Sequence, residues 1–342
     1  GAVIMFLISA VSSCSIMLEG GFQSVVGTSY TSEDEDIVAV DEDYEALERA
    51  LQERIDNIES QYSGYDEYQY HLDEIGHNPF TLASYLTAKL QVYKRSEVQA
   101  ELRALFDQQY TLTVREEVQV RYRTETRTDT WTDEDGNTHS DTYTVEVPYD
   151  YYILHVTLKN KDISILAESH LTDEQHKMFG VYMETQGNKP YLFEGNIYAP
   201  NKGEYTDYDI PPDALTDPDF AALIKEAEKY LGYPYVWGGS SPSTSFDCSG
   251  FVSWVLNQSG VYPMSRTTAQ GIFNQAAKIP PNEARPGDII FFTGTYASSG
   301  AVSHVGIYVG NGMMIHCGNP IQYASVTTPY WIEHFYAYGR LN

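Results

Sequence analysis

The sequence predicts an α+β protein in two parts, and three observations carry that reading. Apolar residues recur at helical spacing in some stretches and alternate in others, without the regular strand–helix–strand succession of a parallel sheet. The formal net charge of −27 is unevenly spread. From Phe220 to Asn342 six Lys/Arg balance six Asp/Glu, so the residues before Phe220 carry the whole excess. A chain of 342 residues is also long enough for two or three domains. The expected layout is a hydrophobic segment over 1–19, an acidic linker over 20–43 and an amphipathic helical region over 44–69. An acidic α+β accessory module with a long β-hairpin follows over 70–200, then a linker over 201–218 and a neutral α+β domain over 219–342.

The apolar run Ala2–Met17 is shorter than the roughly 20 residues of a spanning helix. Without an initiator Met it reads as a clipped signal-anchor. Val11-Ser12-Ser13-Cys14 also fits a loose lipoprotein cleavage box, and a cleaved signal peptide or a buried helix is the alternative. The expectation is export, with contact to the membrane through this segment and an extracytoplasmic place at the cell surface or wall. Ser32-Glu33-Asp34-Glu35-Asp36 lies in a stretch that reads as a linker, because like charges repel and little is there to bury. Leu47, Leu51, Ile55, Ile58 and Tyr62 then form one apolar helical stripe opposite Glu45, Glu48, Arg49 and Glu53. Pro79 precedes Leu82, Leu86 and Leu90, and more helix surrounds Val98, Leu102 and Leu105.

From Tyr110 the period changes to two, with Val118, Val120 and Tyr122 alternating with charged residues. Asp133-Glu134-Asp135-Gly136-Asn137 is a turn, which predicts a long twisted hairpin with its tip near Asp135-Gly136 and at least one further strand. Thr172 with Gln175 predicts a capped helix running to about Gln186. His71, His77, His170 and His176 sit in acidic, polar surroundings and read as solvated. So acidic a part repels nucleic acid and anionic lipid, which argues against both as its partners.

Cys14, Cys248 and Cys317 are an odd and widely spaced set, so neither a disulfide framework nor a CxxC zinc site is expected. Cys248 is preceded by a polar loop of small residues and followed by Phe251, Trp254 and Val255 at helical spacing, with Gly260 as the stop. It therefore belongs to the first turn of a helix, where unpaired N–H groups and an adjacent imidazolium stabilise a thiolate. Asp247 is the natural cap. The flanking Gly, Ser and Asp argue for an exposed turn over a buried structural cysteine.

Pro286-Gly287-Asp288 turns into a buried strand, and the Gly/Ser-containing segment Gly294–Ala301 reads as a mobile gate. Ser303–Val309 is an alternating strand with His304 at its start, and Met313–Cys317, with His316, follows the Gly310-Asn311-Gly312 turn. Antiparallel neighbours bring the two histidines together, one as a base and the other to orient it. Cys317 reads as a buried small hydrophobe, with redox sensitivity or zinc capture as lesser options.

At these residues the chain resembles the NlpC family of bacterial cell-wall endopeptidases, which are papain-like. The matching pieces are Tyr235-Val236-Trp237-Gly238-Gly239, Asp247-Cys248-Ser249-Gly250-Phe251, Arg266-Thr267-Thr268-Ala269-Gln270, Pro286-Gly287-Asp288, Ser303-His304-Val305-Gly306-Ile307-Tyr308 and Ile315-His316. Their order and spacing fit across residues 219–342. The resemblance implies a papain-like domain of helices on an antiparallel sheet that hydrolyses the γ-D-glutamyl–diamino-acid bond of peptidoglycan stem peptides. It makes Cys248 the nucleophile, His304 the base and His316 the polar third member. Tyr235 would help hold the oxyanion, while Asp247, Ser249 and Arg266 would meet the polar ends of the stem peptide. A carboxylate at Asp247 suits the ammonium of L-alanine as well as a helix cap. No cofactor or metal is required.

The acidic part more weakly resembles accessory regions of conjugative-element cell-wall hydrolases, so a conjugation or secretion apparatus is the implied setting. Two rival readings keep the same residues. One is an amidase or acyltransferase, and the other is a catalytically silent structural component of such an apparatus.

Overall fold

The acidic run that reads as a linker is the start of a helix. Helix α1 spans Asp34–Asp56 in the structure, a computed structural model that describes residues 27–198, 205–298 and 300–341. Ile37 and Val40 extend the stripe of Tyr44, Leu51 and Ile55, and all five are buried. Asp34, Glu35 and Asp36 fill the first turn, where the helix dipole favours carboxylates. Cations pair with two of the helix's acids. Lys189 bonds Asp34 at 2.6 Å, and Arg95 forks onto Asp43 at 2.7 and 2.9 Å. Residues 34–43 are thus no linker, and 44–69 is no separate region: α1 shares one core with the helices that follow. The apolar run Ala2–Met17, with Cys14, lies outside the described residues.

Strand β1 (Glu67–Leu72) leads to α2 (Pro79–Leu90), capped by Asn78 and buried from Phe80 to Ala88. That makes α2 the centre of the module. Helix α3 (Arg95–Gln109) runs directly into β2 (Tyr110–Thr132). β2 pairs with β3 (Thr138–Asn160) along its whole length, from Tyr110 opposite Asn160 to Thr132 opposite Thr138. Asp133 holds the tip by accepting from the N–H groups of Asp135 and Asn137. β1 adds to β3 in parallel. Helices α4 (Ile163–His170) and α5 (Asp173–Thr185) complete the module, α5 opening on reciprocal bonds between Thr172 and Gln175.

His77 is not solvated. The residue is 7 % exposed, and its ring lies between Asp41 (2.9 Å) and Glu48 (3.0 Å). Burial alone would lower its pKa, but the charges and hydrogen bonds of Glu48 and Asp41 outweigh that and hold it well above the ordinary value. Local sequence hides this pairing, because Asp41 lies in a run of like charges that only the helix turns toward His77.

The second body contains α6 (Pro218–Ala227), α7 (Cys248–Ser259), α8 (Ala269–Gln275), β4 (Ala277–Ile279), β5 (Ile289–Phe292), β6 (His304–Gly310), β7 (Met313–Cys317), β8 (Ile321–Ser325), α9 (Pro329–His334) and β9 (Phe335–Arg340). Its six strands form an antiparallel sheet in the order β8-β7-β6-β5-β9-β4. α7 sets Phe251, Val252 and Val255 into one core with Phe291, Ile307 and Ile315. The described part of the expected linker lies along β8, where Tyr323 N–H donates to Thr206 O at 2.9 Å and the Tyr208 ring meets that of Tyr323. No helix among the described residues is long and apolar enough to cross a membrane.

Candidate active site

Cys248 heads α7 because Asp247 accepts from Gly250 N–H at 2.7 Å. The other oxygen of Asp247 accepts from Gly238 N–H at 3.0 Å, which ties the Trp237-Gly238-Gly239 turn to the helix start. Only glycine fits at position 250, since a Cβ there would lie 2.1 Å from Gly239 O. Arg266 reaches the same cap from a separate loop. Its guanidinium donates to Ser249 Oγ at 2.7 Å and to Asp247 Oδ2 at 2.5 Å, and Ser249 donates to Asp247 Oδ1 at 3.1 Å. Asp247 is therefore a cap and an ion-pair partner at once, with both oxygens engaged.

The histidines stand on neighbouring strands. His304 opens β6, and His316 lies on β7 opposite Gly306. His304 Nε2 and His316 Nδ1 are hydrogen-bonded at 2.9 Å. The ring of Trp331, from α9, packs on both, with centroids 5.5 and 5.1 Å away. The Tyr235 hydroxyl lies 3.9 Å from Cys248 Sγ. All seven residues singled out in the sequence thus gather at the start of α7 and on the facing strands.

The site is covered, which corrects the expectation of an exposed turn. Cys248 and His304 are both 0 % exposed. Glu74 Oε1 lies 3.9 Å from Cys248 Sγ, and the Tyr198 hydroxyl bonds His304 Nδ1 at 3.2 Å. Both ring nitrogens of His304 are thus engaged, and among the described residues no hydrogen bond joins it to Cys248. At the start of the expected gate two residues are held: Thr295 bonds Ser303 Oγ through both N–H and hydroxyl, and Tyr296 is drawn into the cleft. Cys317 turns its thiol to Phe246 O at 3.2 Å, on the opposite side of β7 from His316.

Electrostatics follow from this covering. Burial pushes the Cys248 thiol well above its ordinary pKa, and the charges of Glu74 and Asp247 add to that. Burial, helped by His316, holds His304 well below its ordinary value. Burial alone lowers His316 to about 3. The helix start favours a thiolate, but in this arrangement desolvation wins, so thiol and imidazole are both neutral. Glu74, Asp73, Tyr198, Tyr296 and Trp331 escaped the sequence reading. Each comes from a loop, strand end or helix without a spacing signal.

A thiol at a helix start and a hydrogen-bonded histidine pair on the antiparallel sheet under that helix are groups that can support nucleophilic acyl transfer once they meet. Residues 232–340 match the NlpC/P60 family, and this C-terminal part of the chain is an NlpC/P60 domain. Over 123 residues the chain is 46% identical to the bifunctional muramidase/DL-endopeptidase CwlT of Bacillus subtilis (strain 168), covering 36% of each protein. It is 39% identical over 115 residues to the gamma-DL-glutamyl hydrolase of the same organism, covering 33% of this chain and 26% of that one. Among solved structures, an NLP/P60-family protein similar to a lipoprotein from Staphylococcus aureus subsp. aureus Mu50 is 35% identical, with 48% of each chain covered and a TM-score of 0.36. The matched region thus spans about a third or less of these two curated relatives. Relatives of this domain are peptidoglycan endopeptidases.

Proposed function

We propose that the domain hydrolyses the γ-D-glutamyl–diamino-acid bond of peptidoglycan stem peptides by a Cys-His mechanism. Cys248 Sγ attacks the γ-carbonyl of D-glutamate while His304 takes the thiol proton and passes it to the leaving amine of the diamino acid. Water then hydrolyses the thioester with His304 as base. His316 orients His304 through Nε2, and the N–H groups at the start of α7 together with Tyr235 stabilise the oxyanion. Asp247, Ser249 and Arg266 form the polar wall that receives the stem peptide. For this chemistry Tyr198 has to leave His304 Nδ1, which then faces Cys248. The proposed setting is extracytoplasmic, tethered through the N-terminal apolar run beside a conjugation or secretion apparatus; the support for that tether is the run itself.

The observation that carries the reading is the 2.9 Å His304–His316 bond beside a helix-start cysteine. The similarity to a gamma-DL-glutamyl hydrolase supports the choice of bond. The test is incubation of the full chain and of Cys248→Ala with purified peptidoglycan and with soluble stem peptide, products being read by mass over hours. The expected products are split between D-glutamate and the diamino acid, and are lost in Cys248→Ala. Cleavage at a different bond, or cleavage that survives in Cys248→Ala, would overturn the assignment.

A further inference from the structure

The cleft is filled by its own chain. Leaving β1, the segment Asp73–His77 crosses the start of α7. Asp73 Oδ1 lies 3.3 Å from Arg266 Nε. Glu74 Oε1 accepts from Ala269 N–H and faces Cys248, and Glu74 Oε2 accepts from the Tyr296 hydroxyl at 3.1 Å. From the other side Tyr198 inserts its ring against Tyr235 (4.6 Å between centroids) and Trp237 (5.2 Å), with its hydroxyl on His304. Asn78 and Asn319 both donate to Tyr198 O, at 2.8 and 3.0 Å, so the plug is tied to both bodies.

The fit is close where the plug sits and open on either side. A Cβ on Gly76 would lie 2.4 Å from the Trp237 ring, and one on Gly238 would lie 2.0 Å from Asn160 O. Asp162 accepts from Trp237 N–H at 2.9 Å. Yet cavities of about 510 and 450 Å³ flank the segment. Gln52, Tyr70, Thr268 and Asn274 line the first, and Glu45, His77, Tyr330 and His334 line the second. Glu74 is 3 % exposed and shares its surroundings with the charge of Asp247. Burying a carboxylate there costs free energy, and Glu74 offsets part of it by accepting from Ala269 N–H and the Tyr296 hydroxyl, both groups of the cleft it covers.

We propose that the acidic module is an intramolecular inhibitor of the cleft, with Glu74 and Tyr198 as its two plugs. Withdrawal of Tyr198 frees His304 Nδ1 for Cys248, and withdrawal of Glu74 clears its carboxyl group from beside the thiol. The competing ligand follows from the proposed function and rests on it: D-glutamate linked through its γ-carbonyl keeps a free α-carboxylate, which takes the place of the Glu74 carboxylate. The closed form binds no substrate, so the apparent affinity falls by the open fraction and the cost of closure appears in KM.

The test uses the full chain and reads two things separately. Iodoacetamide labelling of Cys248, located by peptide mass, is compared in native and denatured wild type, which needs no variant. The expected native rate is slower by on the order of 100-fold, as for a site open about 1% of the time. Tyr198→Ala, which removes one plug, and Gly76→Val, which wedges the module off Trp237, are then compared after urea unfolding confirms that they fold. Labelling should rise at least roughly tenfold in each, and KM for stem peptide should fall by the same factor. Wild-type labelling within about threefold of the denatured rate overturns the inhibitor, as do folded variants that label no faster. Faster labelling without any peptide cleavage upholds the plug and overturns the hydrolase reading. Full cleavage by the wild type, unchanged in the variants, does the reverse.

Discussion

Replacing Asp247 by asparagine separates the structural role of this residue from any role toward a ligand. The carboxylate serves four groups: Gly250 N–H and Ser249 on one oxygen, Gly238 N–H and Arg266 on the other. An asparagine has one oxygen and turns an NH₂ toward the remaining side. If the oxygen keeps the helix cap, the NH₂ faces two donors, Gly238 N–H and the Arg266 guanidinium. If the amide flips, the cap at Gly250 is lost. Either way buried donors are stranded, each at about 1–3 kcal/mol. Asp73, 3.3 Å from Arg266, offsets part of the loss. The expected destabilisation of the C-terminal domain is about 3 kcal/mol, or a Tm lower by roughly 10–15 °C. Urea unfolding followed by tryptophan fluorescence measures it, since Trp237, Trp254 and Trp331 report on this domain. A change below about 0.5 kcal/mol would refute the reasoning, by showing that the charge of Asp247 is free for an ammonium ligand.

Two predictions concern pH. His77 has a pKa raised above 6.5 between Asp41 and Glu48, so the stability it lends is fully present below 6.5 and is lost as pH climbs through the folded value. The urea midpoint of the wild type should therefore fall as pH rises above 6.5, and that of His77→Gln should stay flatter; parallel profiles would sink the idea. Glu74 is pushed up to about 7 by burial and by the charge of Asp247, with Arg266, Ala269 N–H and the Ser249 hydroxyl opposing, while Tyr296 and Cys248 also face it. The closed form keeps this proton to about pH 7, whereas the open form gives it up near 4.5. Closure is thus fully favoured below pH 4.5 and weakens as pH rises to about 7. Cys248 protection, taken as the ratio of denatured to native labelling at each pH, should decline over that range in the wild type and not in Glu74→Gln. A flat wild-type ratio would count against Glu74 as the titrating plug.

Much of the site is legible in local pattern. Asp247 as cap, Cys248 in the first turn and Gly260 as stop are a helix written into thirteen or so residues, because caps and stops act within one turn. His304 and His316 meet because the Gly310-Asn311-Gly312 turn leaves their strands no other neighbour across it. The long hairpin is equally plain, since period-two alternation on both sides of Asp135-Gly136 sets its register. Arg266 is different. No spacing ties it to Asp247, and the family resemblance alone singled it out.

By itself, then, the sequence determined the two α+β parts, the nucleophile helix and the histidine pair. These depend on hydrogen bonds and side-chain periodicity within a few tens of residues. Tertiary structure decided which acids are solvated and whether the cleft is open. Ile37 and Val40 turn an apparent linker into helix because a core lies waiting for them. Glu74 stands 174 positions from Cys248, and Tyr198 stands 106 from His304. Their contacts arise where Gly76 lets the Trp237 ring against the backbone and Gly238 admits Asn160 O. Complementarity between two separately formed surfaces made that decision, because docking is governed by shape and desolvation at the contact and leaves no periodic trace along either segment.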